Sequence, residues 1–306
     1  MKQLLVLIFA AFIMTGFVLF NSNKSAPTKR SEMASTLWKG KMYVAGGINL
    51  GGSNKSFEAF DIKNNRWEKL PSLPKKLNHI GVSAYKDTIF ISGGFFNARQ
   101  TKFSDVLYAY SIKEKQWKEI TKMPAERGAH LMIQRDNYLH LIGGRNHKTI
   151  WSFNLKTRIW ETDEITPLPE KRDHISVLQD IKNLYVMGGR QSGEVQKDCW
   201  TYDFDTKEWS TFAELPVPRG GQSACLHNNQ IHITGGEDLQ ESITYARHDI
   251  FNLTSKKWAK GIDLQIARHG FVSELFKGKW YIFGGGKKAG IKTLYSTTTN
   301  LEVLDL

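Results

Sequence analysis

Five arginines recur at one fixed distance from a pair of glycines, and their side chains are well suited to hold an anion. Each stands 16 residues before the first glycine of a Gly-Gly pair, and Leu77 takes the same place before a sixth pair. The five are Arg30, Arg127, Arg172, Arg219 and Arg268. Equivalent residues of a repeat share one face, so we predict a ring of guanidinium groups that binds carboxylate, sulfate or phosphate. A structural role, with the arginines bonded to carbonyls or to acidic neighbours, stays open as the alternative.

Further polar residues stand near the same glycine pairs. His79 and His174 occupy equivalent positions in two repeats, and Arg145 and Arg190 directly follow a glycine pair. We predict that these four side chains join the arginines in ligand binding. Two equivalent histidines make a metal pair conceivable, but hydrogen-bonded histidines are common on strands, so we predict no metal and no cofactor.

The charge balance indicates which partners to expect. The 306 residues include 42 Lys and Arg against 30 Asp and Glu, a net charge of +12. A basic surface favours an acidic glycan or an acidic protein segment as partner. No basic run alternates with aromatic residues at stacking spacing, so we predict no binding to nucleic acid.

The elements that position these residues follow from an internal repeat of 45 to 50 residues. An apolar strand ending in Gly-Gly occurs six times, and a two-residue turn lies halfway between the arginine position and each pair. Each repeat therefore starts with a hairpin of fixed length. A third strand follows a loop of variable length, and in five repeats a tryptophan stands five residues after it, which marks a fourth strand. This pattern predicts an all-β, six-bladed propeller with four antiparallel strands in each blade.

The glycine pair, the aromatic third strand, the tryptophan and the P-x-x-R that follows resemble the Kelch repeat over residues 21–306. The resemblance implies a propeller with a central channel. We expect a monomeric binding module that recognises an anionic ligand or acidic partner at the channel mouth, rather than an enzyme. The alternative is a sugar mutarotase or epimerase, since exported six-bladed Kelch proteins that act as sialic acid (N-acetylneuraminate) mutarotases are similar to this chain at the level of the repeat.

The first residues predict export. Residues 4–20 form an apolar run after a lysine, which is typical of a signal peptide or a membrane anchor. We assign residues 1–20 to that segment and 21–306 to the propeller, and expect a periplasmic or cell-surface protein with membrane contact through this segment alone. In four of five repeats the tryptophan lies 10 residues before the next arginine position, and the residue 10 places before Arg30 is Phe20. Residues 17–26 are therefore predicted to supply the fourth strand of the last blade. Residues 17–20 cannot serve both purposes, and the sequence leaves that choice open.

Overall fold

The computed structural model describes residues 28–306, whose six largest antiparallel sheets form a ring. The first blade contains β1 Ala34–Trp38, β2 Lys41–Ala45, β3 Ile48–Asn49, β4 Gly52–Ser53, β5 Phe57–Asp61 and β6 Arg66–Lys69. The second contains β7 Gly81–Tyr85, β8 Thr88–Ser92, β9 Val106–Ser111 and β10 Gln116–Lys122. The third contains β11 His130–Arg135, β12 Tyr138–Gly143, β13 Trp151–Asn154 and β14 Trp160–Glu161. The fourth blade contains β15 Ser176–Gln179, β16 Asn183–Met187, β17 Arg190–Gln191, β18 Glu194–Val195, β19 Cys199–Asp203 and β20 Glu208–Phe212. The fifth contains β21 Ser223–His227, β22 Gln230–Thr234, β23 Glu237–Asp238, β24 Ile243–Thr244, β25 His248–Asn252 and β26 Lys257–Lys260. The sixth contains β27 Val272–Phe276, β28 Lys279–Phe283, a 3-10 turn Gly290–Lys292, α1 Thr293–Ser296 and β29 Leu301–Asp305.

The order of strands within the blades confirms the predicted propeller. The main sheet of each of the first five blades has four strands, and within the described residues that of the sixth has three, β27, β28 and β29. The pairs β3–β4, β17–β18 and β23–β24 are separate two-stranded sheets in the loops of their blades. The predicted tight turns are present: Lys39 and Gly40 join β1 to β2 with φ of 47° and 75°, as a two-residue hairpin turn requires. The innermost strands of successive blades contact one another, and β27 contacts β1, so the ring closes.

The hydrophobic core lies between the blades. Between the first and second blades, Phe57 packs against Tyr110 and Trp117 with ring centroids 4.9 and 5.0 Å apart. Between the sixth and first, Phe60 and Phe283 are both buried against Trp67. A blade is apolar on both faces, so only stacking on two neighbours removes that surface from water.

A closed belt of six backbone hydrogen bonds surrounds the channel axis. The residue two places after each arginine position donates its N–H to the carbonyl of the equivalent residue in the preceding blade, at 2.6 to 3.3 Å. The six belt residues are Glu32, His79, Ala129, His174, Gly221 and Gly270. All six have a left-handed backbone, with φ between 51° and 67°. The belt divides the channel into a mouth on the loop side and a long inner section.

Two predictions fall on residues 1–27, outside the described part of the chain. These are the apolar segment 4–20 and the closing strand at 17–26, and both stay predictions. Within residues 28–306 no helix is long and apolar enough to span a membrane.

Candidate functional site

The five predicted arginines lie inside the blades. Each donates a hydrogen bond to the carbonyl of the first glycine of the pair in its own blade, at 2.7 to 3.3 Å. The exposed fraction is 0% for Arg30, Arg127, Arg219 and Arg268, and 1% for Arg172. The spacing of 16 residues therefore ties the start of the first strand to the end of the second. This burial corrects the expectation of an open arginine ring for anions, because the guanidinium groups bond the protein itself.

Carboxylates compensate four of these five charges. The pairs are Arg30 with Glu58 at 2.5 Å, Arg268 with Glu302 at 2.7 Å, Arg172 with Glu170 at 3.1 Å and with Asp198 at 3.2 Å, and Arg219 with Asp249. Arg127 has no carboxylate partner among the described residues. Its guanidinium stacks over Trp151 at 3.7 Å, and burial lowers the pKa of Arg127 to about 9. The arginines are thus part of the framework that holds the site.

A cavity of about 690 Å³ opens at the channel mouth, on the side of the long loops. Three repeated positions contribute to its wall: the two residues after each arginine position and the residue after each glycine pair. Those that face the cavity are Glu32, Ile48, His79, Arg145, Asp173, His174, Arg190, Glu237 and His269. This volume suits a small molecule or a few side chains of a partner.

Four residues predicted for ligand binding meet at this cavity. His79, His174, Arg145 and Arg190 all line it. Arg172 also lines the cavity, but its guanidinium donates to the Gly188 carbonyl and to Glu170 in its own blade. The other four arginines of the predicted ring do not line the cavity. The structure therefore brings together the histidines and the residues after the glycine pairs, while their part in binding stays a prediction.

Three side chains form the floor of the cavity. Glu32 Oε2 lies 3.1 Å from His79 Nε2, and the rings of His79 and His174 meet edge to face with centroids 4.9 Å apart. His174 Nδ1 is 2.5 Å from Asp173 Oδ1. Burial by itself would raise the pKa of Glu32, but His79 and His269 outweigh it and hold that pKa well below its usual range. The pKa of His174 is lowered, chiefly by burial.

A second charged group stands beside the floor. Glu237 accepts a hydrogen bond from Arg190, and its carboxylate lies 3.0 Å from His269 Nδ1. The same nitrogen is 3.3 Å from Glu32, at angles suited to an ion pair more than to a directed hydrogen bond. Burial lowers the pKa of His269, but the carboxylates of Glu237 and Glu32 prevail and raise it to about 10. His269 is therefore a cation held between two carboxylates.

The entrance of the cavity is more basic than its floor. Arg145 donates to the side chain and the backbone carbonyl of Gln100, and its guanidinium lies 5.0 Å from the Phe95 ring centroid. Arg99 and Lys171 are exposed, and neither forms a salt bridge with any residue in the range 28–306. The carboxylates of Glu32, Asp173 and Glu237, in contrast, all have cationic or imidazole partners. An approaching ligand meets uncompensated positive charge first.

The sequence prediction did not include Glu32, Asp173, Glu237 and His269 in the site. The signal was present, because these residues stand at fixed offsets from the arginine or the glycine pair in their repeats. At the same offsets other repeats carry glycine or alanine, such as Gly221. A comparison of residue types at one offset across the six repeats would have found them.

The inner section of the channel lies beyond the belt and contains a smaller cavity than the mouth. Its cavity of about 300 Å³ is lined by the six innermost strands. Glu274 projects into it from β27 and accepts a hydrogen bond from Ser35 Oγ at 2.7 Å. Burial raises the pKa of Glu274 to about 7. This carboxyl group is therefore separate from the mouth cluster.

Comparison with known proteins gives one family. The family model described as the KLHDC2/KLHL20/DRC7 Kelch-repeats domain matches residues 14–144 and 80–285. Kelch-like protein terF of Aspergillus terreus is 25% identical over 289 residues, covering 85% of this chain and 62% of that protein. Kelch-like protein 36 of Mus musculus is 27% identical over 239 residues, covering 74% of this chain and 38% of that protein. This chain thus spans less than two thirds of the length of either relative.

A solved structure shares the architecture. The structure titled "Structure of YjhT" superposes with a TM-score of 0.77, at 15% sequence identity, over 91% of this chain and 96% of that one. At this identity the likeness concerns the fold alone.

Proposed function

The chain belongs to the Kelch-repeat family, and on that premise we propose that it is a binding module whose channel mouth recognises an acidic segment of a protein partner. The observation that carries the proposal is the cavity of about 690 Å³ with an unpaired basic entrance. Arg99 and Lys171 stand at that entrance, exposed and without a salt bridge to any described residue. Charges of this kind steer an anionic partner to the site and favour it over neutral competitors.

Apolar side chains on the surrounding loops favour a protein segment over a glycan. Large hydrophobic residues are exposed on the loops that follow four of the glycine pairs. They are Leu50, Phe96, Ile243, Ile291 and Tyr295, with exposed fractions from 38% to 78%. Ile291 also lines the cavity. A basic entrance with apolar residues around it matches a peptide that alternates carboxylates with hydrophobic side chains.

A peptide selection tests this proposal. The full chain is used to select from a random peptide display library, and enriched peptides are measured by fluorescence anisotropy against the wild type, Arg99→Glu and Lys171→Glu. We expect acidic peptides to be enriched and each reversal to weaken them roughly tenfold, since a rim charge acts mainly on association. Lys156→Glu, an exposed lysine in the turn between β13 and β14 on the opposite face, is the matched control. Equal weakening by Lys156→Glu, or enrichment without acidic residues, contradicts the proposal.

A second candidate is the mutarotase activity that the sequence resemblance implies. The observation in its favour is the pair of imidazole–carboxylate contacts at the cavity floor, at 3.1 Å for His79 and Glu32 and 2.5 Å for His174 and Asp173. Groups at these distances exchange protons readily, which ring opening of an acidic sugar requires. NMR exchange between the anomers of N-acetylneuraminate measures it directly. We expect Glu32→Gln to abolish any acceleration, and equal rates with and without the protein would reject this candidate.

The proposed module works outside the cytosol. This part rests on residues 4–20, whose apolar run is typical of an export segment. Fractionation of cells that express the full chain, with added protease, tests it. Protection of the propeller in intact spheroplasts would contradict export.

A further inference from the structure

We propose that Glu32, His79 and His174 form a binding site for one divalent transition metal ion of the Zn²⁺ class at the floor of the mouth cavity. The proposal is independent of the ligand at the entrance, because it requires no partner molecule. Two imidazoles and one carboxylate are a donor set that Zn²⁺ and its neighbours in the first transition row accept, with at least one position left for water or a ligand.

The distances between the donor atoms suit such an ion. One donor atom from each of the three side chains lies within 4.8 Å of the other two. The His79 Nε2 to Glu32 Oε2 distance is 3.1 Å, and ligands bound to Zn²⁺ at about 2.0–2.1 Å in a tetrahedron stand about 3.3 Å apart. All three residues occupy the belt position, so hydrogen-bonded backbone fixes their Cα atoms. The site is thus placed by the most regular part of the fold.

Hydrogen bonding fixes the tautomer of His79. The Asn78 amide nitrogen donates to Ser53 Oγ at 2.7 Å and to the Phe95 carbonyl at 3.2 Å, which turns Asn78 Oδ1 toward His79. His79 Nδ1 lies 2.5 Å from that oxygen and must carry the hydrogen. Nε2 therefore faces the Glu32 carboxylate, 3.1 Å away. A metal ion bound there takes the place of the proton that Nε2 otherwise donates to this carboxylate.

A hydrogen bond at Nδ1 also fixes the tautomer of His174. Its Nδ1 donates to Asp173 at 2.5 Å, and its side chain is only 3% exposed. No residue between 28 and 306 forms a hydrogen bond with its Nε2, which is left with its lone pair. A carboxylate on the far nitrogen of a ligating histidine is the common arrangement around protein-bound metals, because it fixes the ring and strengthens the donor.

The neighbouring histidine plays another part. His269 Nε2 lies 3.1 Å from the carbonyl of Lys288, and its Nδ1 faces the carboxylates of Glu237 and Glu32. Both nitrogens have acceptors, so both carry hydrogens and neither offers a lone pair. His269 is therefore a positioning residue that holds the Glu32 carboxylate in place.

A backbone position supports the same placement of Glu32. A Cβ added at Gly270 would lie 2.3 Å from Glu32 Oε1, so the carboxylate occupies the space that this glycine leaves free. At Gly221, which has the same belt position and also a positive φ, an added Cβ meets no atom closer than 3.4 Å. Alanine at Gly270 would displace the carboxylate, whereas alanine at Gly221 would leave it.

Calorimetric titration of the full chain with Zn²⁺, after removal of bound metal by a chelator and dialysis, tests the site. We expect one equivalent to bind and the melting temperature to rise. Glu32→Gln, His79→Ala and His174→Ala should each weaken binding at least roughly tenfold. His227→Ala, at the end of β21 on the opposite face, is the control for adventitious binding by histidine. Absence of saturable binding at one equivalent, or a loss with His227→Ala as large as with His174→Ala, overturns the proposal.

Alanine variants of the two belt glycines, Gly270 and Gly221, distinguish loss of the metal site from loss of the fold. Gly270→Ala and Gly221→Ala both put a side chain at a positive φ in the belt, and their melting temperatures without metal measure what this costs. We expect Gly270→Ala to weaken Zn²⁺ binding roughly tenfold relative to Gly221→Ala. Co²⁺ in place of Zn²⁺ gives a visible spectrum that reports the imidazole donors, and this spectrum should change in His79→Ala. Equal affinity of the two alanine variants, in folded protein, overturns the assignment of Glu32 as a ligand.

Discussion

Replacement of Glu274 by glutamine should stabilise the protein in alkaline solution and leave it unchanged in acid. Burial in the inner channel raises the pKa of this carboxyl group from 4.5 to about 7, opposed by the hydrogen bond from Ser35. The folded state thus holds the proton more tightly than the unfolded chain does. The stability that this adds is complete below about pH 4.5 and is lost as the pH rises through 7. Glutamine keeps the neutral shape and the acceptor for Ser35 at every pH.

The size of the effect follows from the shift. One pKa unit corresponds to 1.36 kcal/mol, so full burial would give about 3 kcal/mol. Glu274 is partly exposed to channel water, which lowers the expected gain to about 2 kcal/mol. In a propeller of this size that is a difference in melting temperature of roughly 4 °C.

Urea unfolding of the wild type and Glu274→Gln at pH 4 and pH 8.5 measures the gain. We expect nearly equal free energies of unfolding at pH 4 and a variant more stable by about 2 kcal/mol at pH 8.5. The matched control is Glu208→Gln, which removes an exposed carboxylate from β20. A difference between variant and wild type that is the same at both pH values would refute the reasoning, because the group would then titrate alike in both states.

Three further predictions concern the framework. Gly93→Ala should cost at least about 3 kcal/mol in urea unfolding, since its Cβ would lie 2.2 Å from the Arg127 carbonyl oxygen at a φ of +57°. Gly193→Ala, also at positive φ but with no atom within 4 Å, should cost about 1 kcal/mol, and equal costs would contradict the collision. Asp249→Ala should lower the free energy of unfolding by about 3–5 kcal/mol, because it leaves the Arg219 guanidinium buried without its counter-charge. Arg127→Met should cost less than Arg268→Met in the same assay, since only the second leaves a buried carboxylate, Glu302, without a salt-bridge partner among the described residues; the reverse order would refute this account.

The fold could be predicted from the sequence because the repeat fixes distances along the chain. The separation of 16 residues and the turn at its midpoint define the first hairpin of every blade, and strands of that register have few ways to pack. The spacing placed Arg30 and its equivalents correctly in the chain but did not give the direction of their side chains. Their carboxylate partners Glu58, Asp249 and Glu302 lie across loops of variable length, 28 to 34 residues away, so no constant spacing marked them.

The site was harder to predict than the fold for a related reason. Repetition marks residues that every blade needs, whereas the mouth is made of residues that differ from blade to blade. Glu32, His79 and His174 share one structural position with Gly221 and Gly270. A search for recurring residues therefore selects the framework arginines and passes over the positions where the blades have diverged.

The backbone belt has no first and no last member. Each link joins one residue to its equivalent in the preceding blade, and the link from Glu32 to Gly270 is the same as the other five. Which blade the ribosome makes first is therefore immaterial to the assembled mouth. A circularly permuted chain that opens at a two-residue turn on the far face, such as Lys277-Gly278, should close into the same circle once the natural ends are tethered.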